Sequence, residues 1–490
     1  MQEIVSAISG VIWEPTLVYV LLGTGLFFSI LTRFVQVRMF GEMWRLLFSS
    51  KESDRGISSF QALAVSLSGR VGTGNIAGVA AAIGIGGPGA VCWMWIVAFL
   101  GASTAYVEAA LGQIYKEEDE GELRGGPAYY FEKALGQKWY AWTFAISTII
   151  AVGLLLPTVQ SNAIGAAVEL AFGSGAEFTT SLGSVSFTKL VTASIVVILL
   201  GIIIFGGVKR IAHFTQIVVP FMAISYIVMS VGIVIYHHEA LPGVISLIFS
   251  DAFSPMAGLG AAIGWGVKRG VYSNEAGQGS GPHAASAAEV QHPAQQGLVQ
   301  AFSVYIDTLF VCSATAFMIL ITNQYYVADL APAISGGLLT TEIQANSPAF
   351  TQLALQSVLG GFGRIFVAVA LFFFAFTTLL AYYYIAETNV AYIRRSFKFP
   401  GELTIIKFVL LGAVFYGTVR TADLAWGLGD IGLGIMAGLN IIGILILYFM
   451  GQPALRALKD YEQQRKAGVT EYTFDPRKLG IKNADFWEKD

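Results

Sequence analysis

Long apolar runs follow one another along the chain, broken by glycines and joined by short polar connections. A helix needs about 20 apolar residues to cross the hydrocarbon core of a bilayer. Eleven stretches reach roughly that length: 15–32, 57–86, 89–115, 139–171, 188–208, 211–236, 252–280, 297–322, 362–386, 403–421 and 424–450. None shows the two-residue alternation of barrel strands, so the pattern predicts an all-α integral membrane protein with eleven transmembrane helices. Several stretches exceed the minimum, which predicts tilted or broken spans.

Composition agrees. Of 490 residues 55% are hydrophobic and only 12% charged, and mean hydropathy is +0.65. Soluble domains carry about twice that share of charge. Disorder, nucleic-acid binding and an ordinary cytosolic enzyme are excluded. Residues 1–14 hold no Lys or Arg, so no cleavable signal peptide is expected. Cys92 and Cys312 lie in apolar stretches and read as small buried hydrophobes.

Charge orients the chain. The connections 33–56, 116–138, 209–210, 281–296, 387–402 and the tail from 451 carry 22 of the 29 Lys and Arg residues, while 1–14, 172–187, 237–251, 323–361 and 422–423 carry none. Basic loops stay in the cytoplasm, so the N-terminus is expected outside and the C-terminus inside a plasma or bacterial inner membrane. No connection is long enough for a catalytic domain of typical size. The tail 451–490 reads as a short helix with a flexible end. Residues 126–135, "GPAYYFEKAL", read either as an amphipathic helix at the inner interface or as an ordinary loop.

Glycine, 55 residues in all, is concentrated at two places that matter. With 1–56 set aside as an extra N-terminal helix and inner loop, ten spans divide into five and five, 57–236 and 252–450. Each half opens on a glycine-interrupted span. The first reads "SLSGRVGTGNIAG", with Gly69, Gly72, Gly74 and Gly78; the second reads "GLGAAIGWGVKRGVYSNEAGQGS", with Gly258, Gly260, Gly264, Gly266 and Gly270. Five is odd, so the halves have opposite topology, the pattern of an inverted-repeat transporter whose matched interruptions mark the binding site. Unwound backbone in hydrocarbon needs polar company: freed N–H groups suit a carboxylate and freed carbonyls a cation. Close helix packing by small residues is the competing explanation. The segments Ser68–Asn75 and Ala262–Arg269 are the expected breaks.

Residues 72–95, "GTGNIAGVAAAIGIGGPGAVCWMW", resemble the signature of the alanine/glycine:cation symporter family of the amino acid–polyamine–cation superfamily. Residues 269–280, "RGVYSNEAGQGS", and 374–384, "FAFTTLLAYYY", resemble its further motifs. The resemblance implies the leucine-transporter fold, two inverted five-helix repeats plus one helix, here N-terminal. It also implies Na⁺-coupled, or sometimes H⁺-coupled, uptake of a small neutral amino acid, with no organic cofactor. A monomeric transport unit surrounded by lipid is expected.

Gly72, Thr73, Gly74 and Asn75 are the first candidates for the substrate, with backbone N–H groups of Thr73 and Gly74 for its carboxylate. Asn75 could equally cap the resumed helix. In the second span Gly264 and Gly266 offer room and carbonyls, and Trp265 is either a pocket wall or core packing. Gln160 follows Pro157, which should kink its helix, and the resemblance places a Gln of this region on the substrate. Thr377 and Thr378 could ligate Na⁺ with backbone near Ser68 and Val71, or simply bond within their own helix. Arg70 cannot face lipid and is expected to form an ion pair with Glu275, Asp307 or Glu108. Asp307 either answers a cation, carries a proton or pairs with Arg70 or Arg269, and Arg269 and Glu275 are expected in a gating network.

The leading expectation is therefore Na⁺:alanine or glycine symport by alternating access. An H⁺-coupled carrier, a glutamine or D-amino-acid carrier, and a channel or sensor are the alternatives. No HExxH, Ser–His–Asp arrangement or helically paired acids support an intramembrane enzyme.

Overall fold

The computed structural model describes residues 2–13, 15–48, 56–180, 183–254, 259–328, 337–398 and 401–488. Gly258, expected in the second break, lies outside them. Among these residues nine helices are long and apolar enough to cross a membrane, and no barrel is present. They account for every predicted span except 57–86 and 252–280. Those two are the interrupted ones, so each is too short as an unbroken helix to qualify.

The first interrupted span starts at α1, Ser59–Arg70. The side chain of Ser58 accepts from the Gln61 amide and the Gln61 side chain accepts from the Ser58 amide, a reciprocal cap that fixes where the helix begins. The chain leaves the helix at Val71 and Gly72, and Thr73 already has right-handed helical dihedrals, φ −57° and ψ −29°. The chain resumes as α2, Gly74–Gly86, whose opening turn, Gly74–Gly78, is a π-helix. Helix α3, Ala90–Ile114, packs alongside and is buried along most of its length. Helix α4, Lys138–Phe172, contains a second π-helical turn, Ala151–Leu155, just before Pro157. Proline cannot donate to the turn before it, and the ladder widens there.

The second interruption is not where the glycine spacing put it. Helix α5 runs unbroken from Leu259 to Asn274 through the expected break Ala262–Arg269. The chain unwinds at Glu275–Ser280 and resumes as α6, Gly281–Ala287. The reason is conformational. Glu275, Gly277 and Gly279 have φ of 57°, 90° and 81°, a left-handed backbone that ends a helix. Gly266 and Gly270 instead stay helical and let α5 lie against α3. A Cβ on Gly266 would sit 2.5 Å from the Ala90 carbonyl oxygen, and one on Gly270 2.5 Å from Val97 Cγ1. Small-residue packing, the competing explanation, holds for these two glycines.

Helix α7, Pro293–Ile321, contains the third π-helical stretch, Tyr305–Cys312, which carries Asp307. Helix α8, Gly361–Arg394, extends about two turns past the predicted 386 and brings Thr378 against the first break. Helix α9, Ala422–Gly451, is the last apolar helix before the tail.

Contacts divide the connections into the same two groups as their charge. On the basic side Ile57 pairs with Ala288, Glu462 joins Arg33 and Arg38, and Lys133 joins Glu117 and Asp485. On the opposite side the Gly89 amide donates to Asp251, the Ala328 amide to the Gly84 carbonyl, and Asn346 to Asp423.

Two expectations about the basic side change. Residues 127–135 do form a helix, α10 (Pro127–Leu135), but Ala128, Tyr129, Tyr130 and Phe131 are buried and the Tyr130 hydroxyl donates to Asn440 of α9. It is a wedge under the bundle, not an interfacial helix. The tail forms helix α11, Pro453–Lys466, but the segment beyond Lys466 packs back on the body. Trp487 donates to the Gln113 carbonyl, Asn483 to the Lys133 carbonyl, and Ile481 and Ala484 are buried. Few aliphatic residues suffice because aromatic rings and hydrogen bonds hold this segment.

Candidate substrate and ion site

The short break at Val71–Thr73 exposes backbone groups that an unbroken helix would pair internally. Val71 N keeps its helical bond to the Leu67 carbonyl (2.7 Å), but the next two amides turn to side chains: Gly72 N donates to Asn75 Oδ1 (2.7 Å) and Thr73 N to Gln160 Oε1 (2.9 Å). Two expected substrate residues thus meet at the break, and Asn75 does cap it. The other end of Asn75 donates to Asp307 Oδ1 (2.6 Å), which also accepts from Ser273 Oγ (3.0 Å), while Thr308 Oγ1 donates to Asp307 Oδ2 (2.7 Å). Cys312 Sγ lies 3.3 Å from Asn75 Nδ2 and 3.1 Å from Ser273 Oγ. It is therefore part of a polar cluster, not the inert hydrophobe its apolar neighbours suggested. The Thr73 hydroxyl is buried with no protein partner.

Space is tight at two of these positions, and at Gly72 it admits only glycine without a shift. A Cβ on Gly72 would fall 2.4 Å from Thr378 Oγ1 and 2.9 Å from Gln160 Oε1; one on Gly74 would fall 3.1 Å from Ser273 Cα and Tyr272 Cδ1. The close approach predicted for this segment is real, and other elements of the site occupy the space.

Thr378 and Thr377 part company. Thr378 Oγ1 lies 2.8 Å from the Ser68 carbonyl, 3.5 Å from the Val71 carbonyl and 3.0 Å from its own Phe374 carbonyl. With Gly72 N turned to Asn75, the Ser68 carbonyl has lost its usual helical donor. One hydroxyl proton cannot serve three carbonyls, so the cluster is rich in lone pairs. Thr377 Oγ1 donates to Phe373 and Phe374 of its own helix and lies 3.8 Å from Met222 Sδ. It faces away from the break: adjacent residues on a helix point about 100° apart and cannot both line one site.

The expected ion pairs are redrawn. Arg70 is buried, donates to the Gln300 carbonyl (3.0 Å) and to Ser303, and forms no salt bridge with Glu275, Asp307 or Glu108. Glu275 accepts from Ser280 (2.8 Å). Glu108 instead clamps the second break, accepting from the amides of Gly277 and Gly279 (3.0 Å each) and from Asn440. Arg269 pairs not with Asp307 but with Asp430 of α9, bidentate at 3.0 Å on both oxygens, and Lys268 joins the same carboxylate at 2.6 Å. The rings of Trp426, Trp265 and Tyr272 surround the guanidinium at 4.4, 5.0 and 5.7 Å.

This pair floors a cavity of about 630 Å³ lined by Trp13, Gly264, Trp265, Lys268, Asp423 and Asp430 among others; none of residues 71–75 lines it. Trp265 and Gly264 therefore belong to a vestibule and Gly266 to a packing seam, not to the break. Asp430, Trp426 and Tyr272 were missed by sequence reasoning. Asp430 carried a usable signal, being an acid inside an otherwise apolar span.

Comparison with known proteins decides the family. The family model described as the sodium:alanine symporter family matches residues 1–476. The chain belongs to this family. Relatives include the putative sodium/proton-dependent alanine carrier protein YrbD of Bacillus subtilis, 56% identical over 100% of this chain and 98% of the relative. The sodium/proton-dependent alanine carrier protein of Bacillus sp. strain PS3 is 48% identical over 91% of this chain and 97% of the relative. The sodium/alanine symporter AgcS of Methanococcus maripaludis is 36% identical over 91% and 94%. Membership in a family of symporters marks the chain as a multi-pass membrane transporter and fulfils the expectation drawn from residues 72–95.

Proposed function

We propose that this protein is a secondary active symporter that couples inward Na⁺ flux to uptake of alanine or a similarly small neutral amino acid by alternating access. One observation carries the reading: the break at Val71–Thr73 holds backbone groups between Gln160, Asn75 and Thr378, in a family of sodium:alanine symporters. The reading includes eleven spans in a leucine-transporter-type arrangement, with 1–56 as the extra helix and loop, 57–236 and 252–450 as inverted repeats, and 451–490 as a tail. The basic face is cytoplasmic and the N-terminus outside. The matched interruptions of α1/α2 and α5/α6 support the repeat, although the second falls at Glu275–Ser280.

In this mechanism the substrate carboxylate displaces Gln160 Oε1 from the Thr73 amide and takes the neighbouring Gly74 amide with it. Helix α2 begins there, and its dipole favours an anion. The Thr73 hydroxyl is available for a further bond. Na⁺ is held by the Ser68 and Val71 carbonyls and Thr378 Oγ1. Three neutral oxygens leave its hydration incompletely replaced, which keeps release possible. Because the ion sits at the end of α1 and the substrate at the start of α2, on the two sides of one short break, ordering by one favours the other. The Arg269–Asp430 pair closes the outer path and Glu108 holds the second break.

A second reading, H⁺ in place of Na⁺, rests on Asp307. This buried acid is bonded to Asn75, Ser273 and Thr308 at the break itself and can exchange a proton or a cation there. Alanine uptake into proteoliposomes decides between them. An inward Na⁺ gradient at constant pH should drive accumulation above the outside concentration. Unchanged uptake when choline replaces Na⁺ transfers the coupling to H⁺, and failure to accumulate at all leaves only a channel.

A further inference from the structure

On the basic face a cavity of about 340 Å³ opens where the end of α9 meets α10 and the tail. Its polar wall holds Lys133 of α10, Arg456 of α11 and Lys482 of the returning tail; its apolar wall holds Leu447 and Met450; no acidic side chain lines it. The three cations are not equivalent. Lys133 is already paired with Glu117 (2.9 Å) and Asp485 (3.0 Å), which lie outside the cavity wall. Arg456 Nη1 donates only to the carbonyls of Leu479 and Gly480 (3.0 and 3.3 Å). Lys482 forms no ion pair among the described residues, and neither does Arg456. Two uncompensated cations facing one cavity repel each other and attract an anion.

The mouth of the cavity says which anion. Met450 is 60% exposed and the adjacent Phe449 76% exposed at the end of a transmembrane helix, an apolar rim that only acyl chains would cover. Basic pockets beside transmembrane helices on the cytoplasmic side suit anionic headgroups. We propose that this cavity binds the phosphodiester headgroup of an anionic phospholipid, which bridges Lys133 on the body to Arg456 and Lys482 on the tail. The bound lipid fastens the tail to the transmembrane domain. The tail segment held this way carries Phe486 and Trp487, whose rings lie 4.5 and 5.1 Å from Lys116 Nζ. Lys116 in turn donates to the Ala288 carbonyl (2.9 Å), beside the bridge between Ile57 and Ala288 that joins the start of the first interrupted span to the end of the second. Lipid occupancy thus holds the tail against the basic face.

Free phosphate offers the same charge and oxygens, so the test separates the two. The full-length protein in neutral detergent is titrated with short-chain phosphatidylglycerol, with phosphatidylcholine of the same chain length, or with inorganic phosphate. Bound lipid is counted by native mass spectrometry and hydrogen exchange is followed over residues 475–488. Phosphatidylglycerol should bind and slow exchange, and phosphatidylcholine should do neither. Lys482→Gln should weaken binding about fivefold, at about 1 kcal/mol per basic residue, and Lys482→Arg should restore it. Lys482 has no ion-pair partner of its own, so the lipid-free exchange of both variants should match the parent. Equal protection by phosphatidylcholine, or unchanged affinity in Lys482→Gln, overturns the proposal. Equal protection by inorganic phosphate overturns the lipid as the source.

Discussion

The two interruptions solve one problem in opposite ways. At Val71–Thr73 the freed amides are met by neutral oxygens, Asn75 Oδ1 and Gln160 Oε1, and the carbonyls by one hydroxyl. At Glu275–Ser280 two freed amides are met by a carboxylate, Glu108, with Asn440 beside it. Asn75 and Gln160 each hold one amide and can give way to a ligand, whereas a single carboxyl group that holds two amides and Asn440 at once is hard to displace. The first break suits exchange and the second a fixed joint. Depth of burial does not distinguish them, because residues 71–75 and 275–280 are all buried; the number of donors gathered on one partner does.

The comparison breaks most visibly at Glu108. Glu108→Ala leaves two buried amides and one N–H of Asn440 without an acceptor, and at about 1–3 kcal/mol per unsatisfied buried group the loss should exceed about 3 kcal/mol. Melting in detergent should drop sharply. Gln160→Ala, which frees a single amide from a neutral acceptor, should melt close to the parent while alanine binding falls. Similar melting losses in the two variants would erase the distinction.

Next in size is Gly72→Ala. Its Cβ would overlap Thr378 Oγ1 and press on Gln160, so uptake should fall at least tenfold with expression preserved. Gly266→Ala makes a useful contrast. It collides with the Ala90 backbone and should cost stability first, because it acts on a packing seam.

Thr378→Ala sharpens the ion half of the first break. It should raise the Na⁺ concentration for half-maximal uptake about tenfold, the equivalent of roughly one lost bond to a cation. Thr377→Ala should change that value less than twofold, since its hydroxyl is spent within its own helix. Equal effects at both positions would place the ion elsewhere.

The smallest effect is expected on the basic face. Burial pushes His292 below the usual imidazole range, and its bond to Asp460 (3.1 Å) holds that carboxyl low. His292 is therefore neutral in the folded state at pH 7. A depressed base contributes stability that is present above the unfolded value, about 6.5, and is lost as pH falls through the folded one. Exchange in α11, corrected for its intrinsic pH dependence, should rise as pH drops from 7 to 5, and this rise should vanish in His292→Gln.

Much of the site was legible in the chain because it is local. Gly72, Gly74 and Asn75 declare a break through spacing of a few residues, and Gln160 declares itself by being polar beside a proline in an apolar run. The basic loops could be sorted by counting because charge beside a membrane is one-dimensional information. The second break was misread because glycine has two uses. Gly266 and Gly270 look like hinge residues by composition, but whether a glycine unwinds a helix or admits a neighbour depends on what lies opposite, here Ala90 and Val97 of α3. Thr377 and Thr378 were indistinguishable for the same reason, since only the rotation of α8 decides which hydroxyl meets Ser68.

By itself, then, the sequence determined the solvent, the nine long apolar helices and the position of the first break. These depend on hydropathy, charge and backbone freedom, which act over one span or less. Tertiary structure alone decided the partners. Arg269 chose Asp430 over Asp307, Arg70 took carbonyl and hydroxyl oxygens over acids, and Glu108 reached Gly277 and Gly279 across 169 and 171 residues of chain. A buried polar group must be satisfied by whatever stands within about 3 Å of it, and that neighbour is set by helix packing and not by distance along the chain.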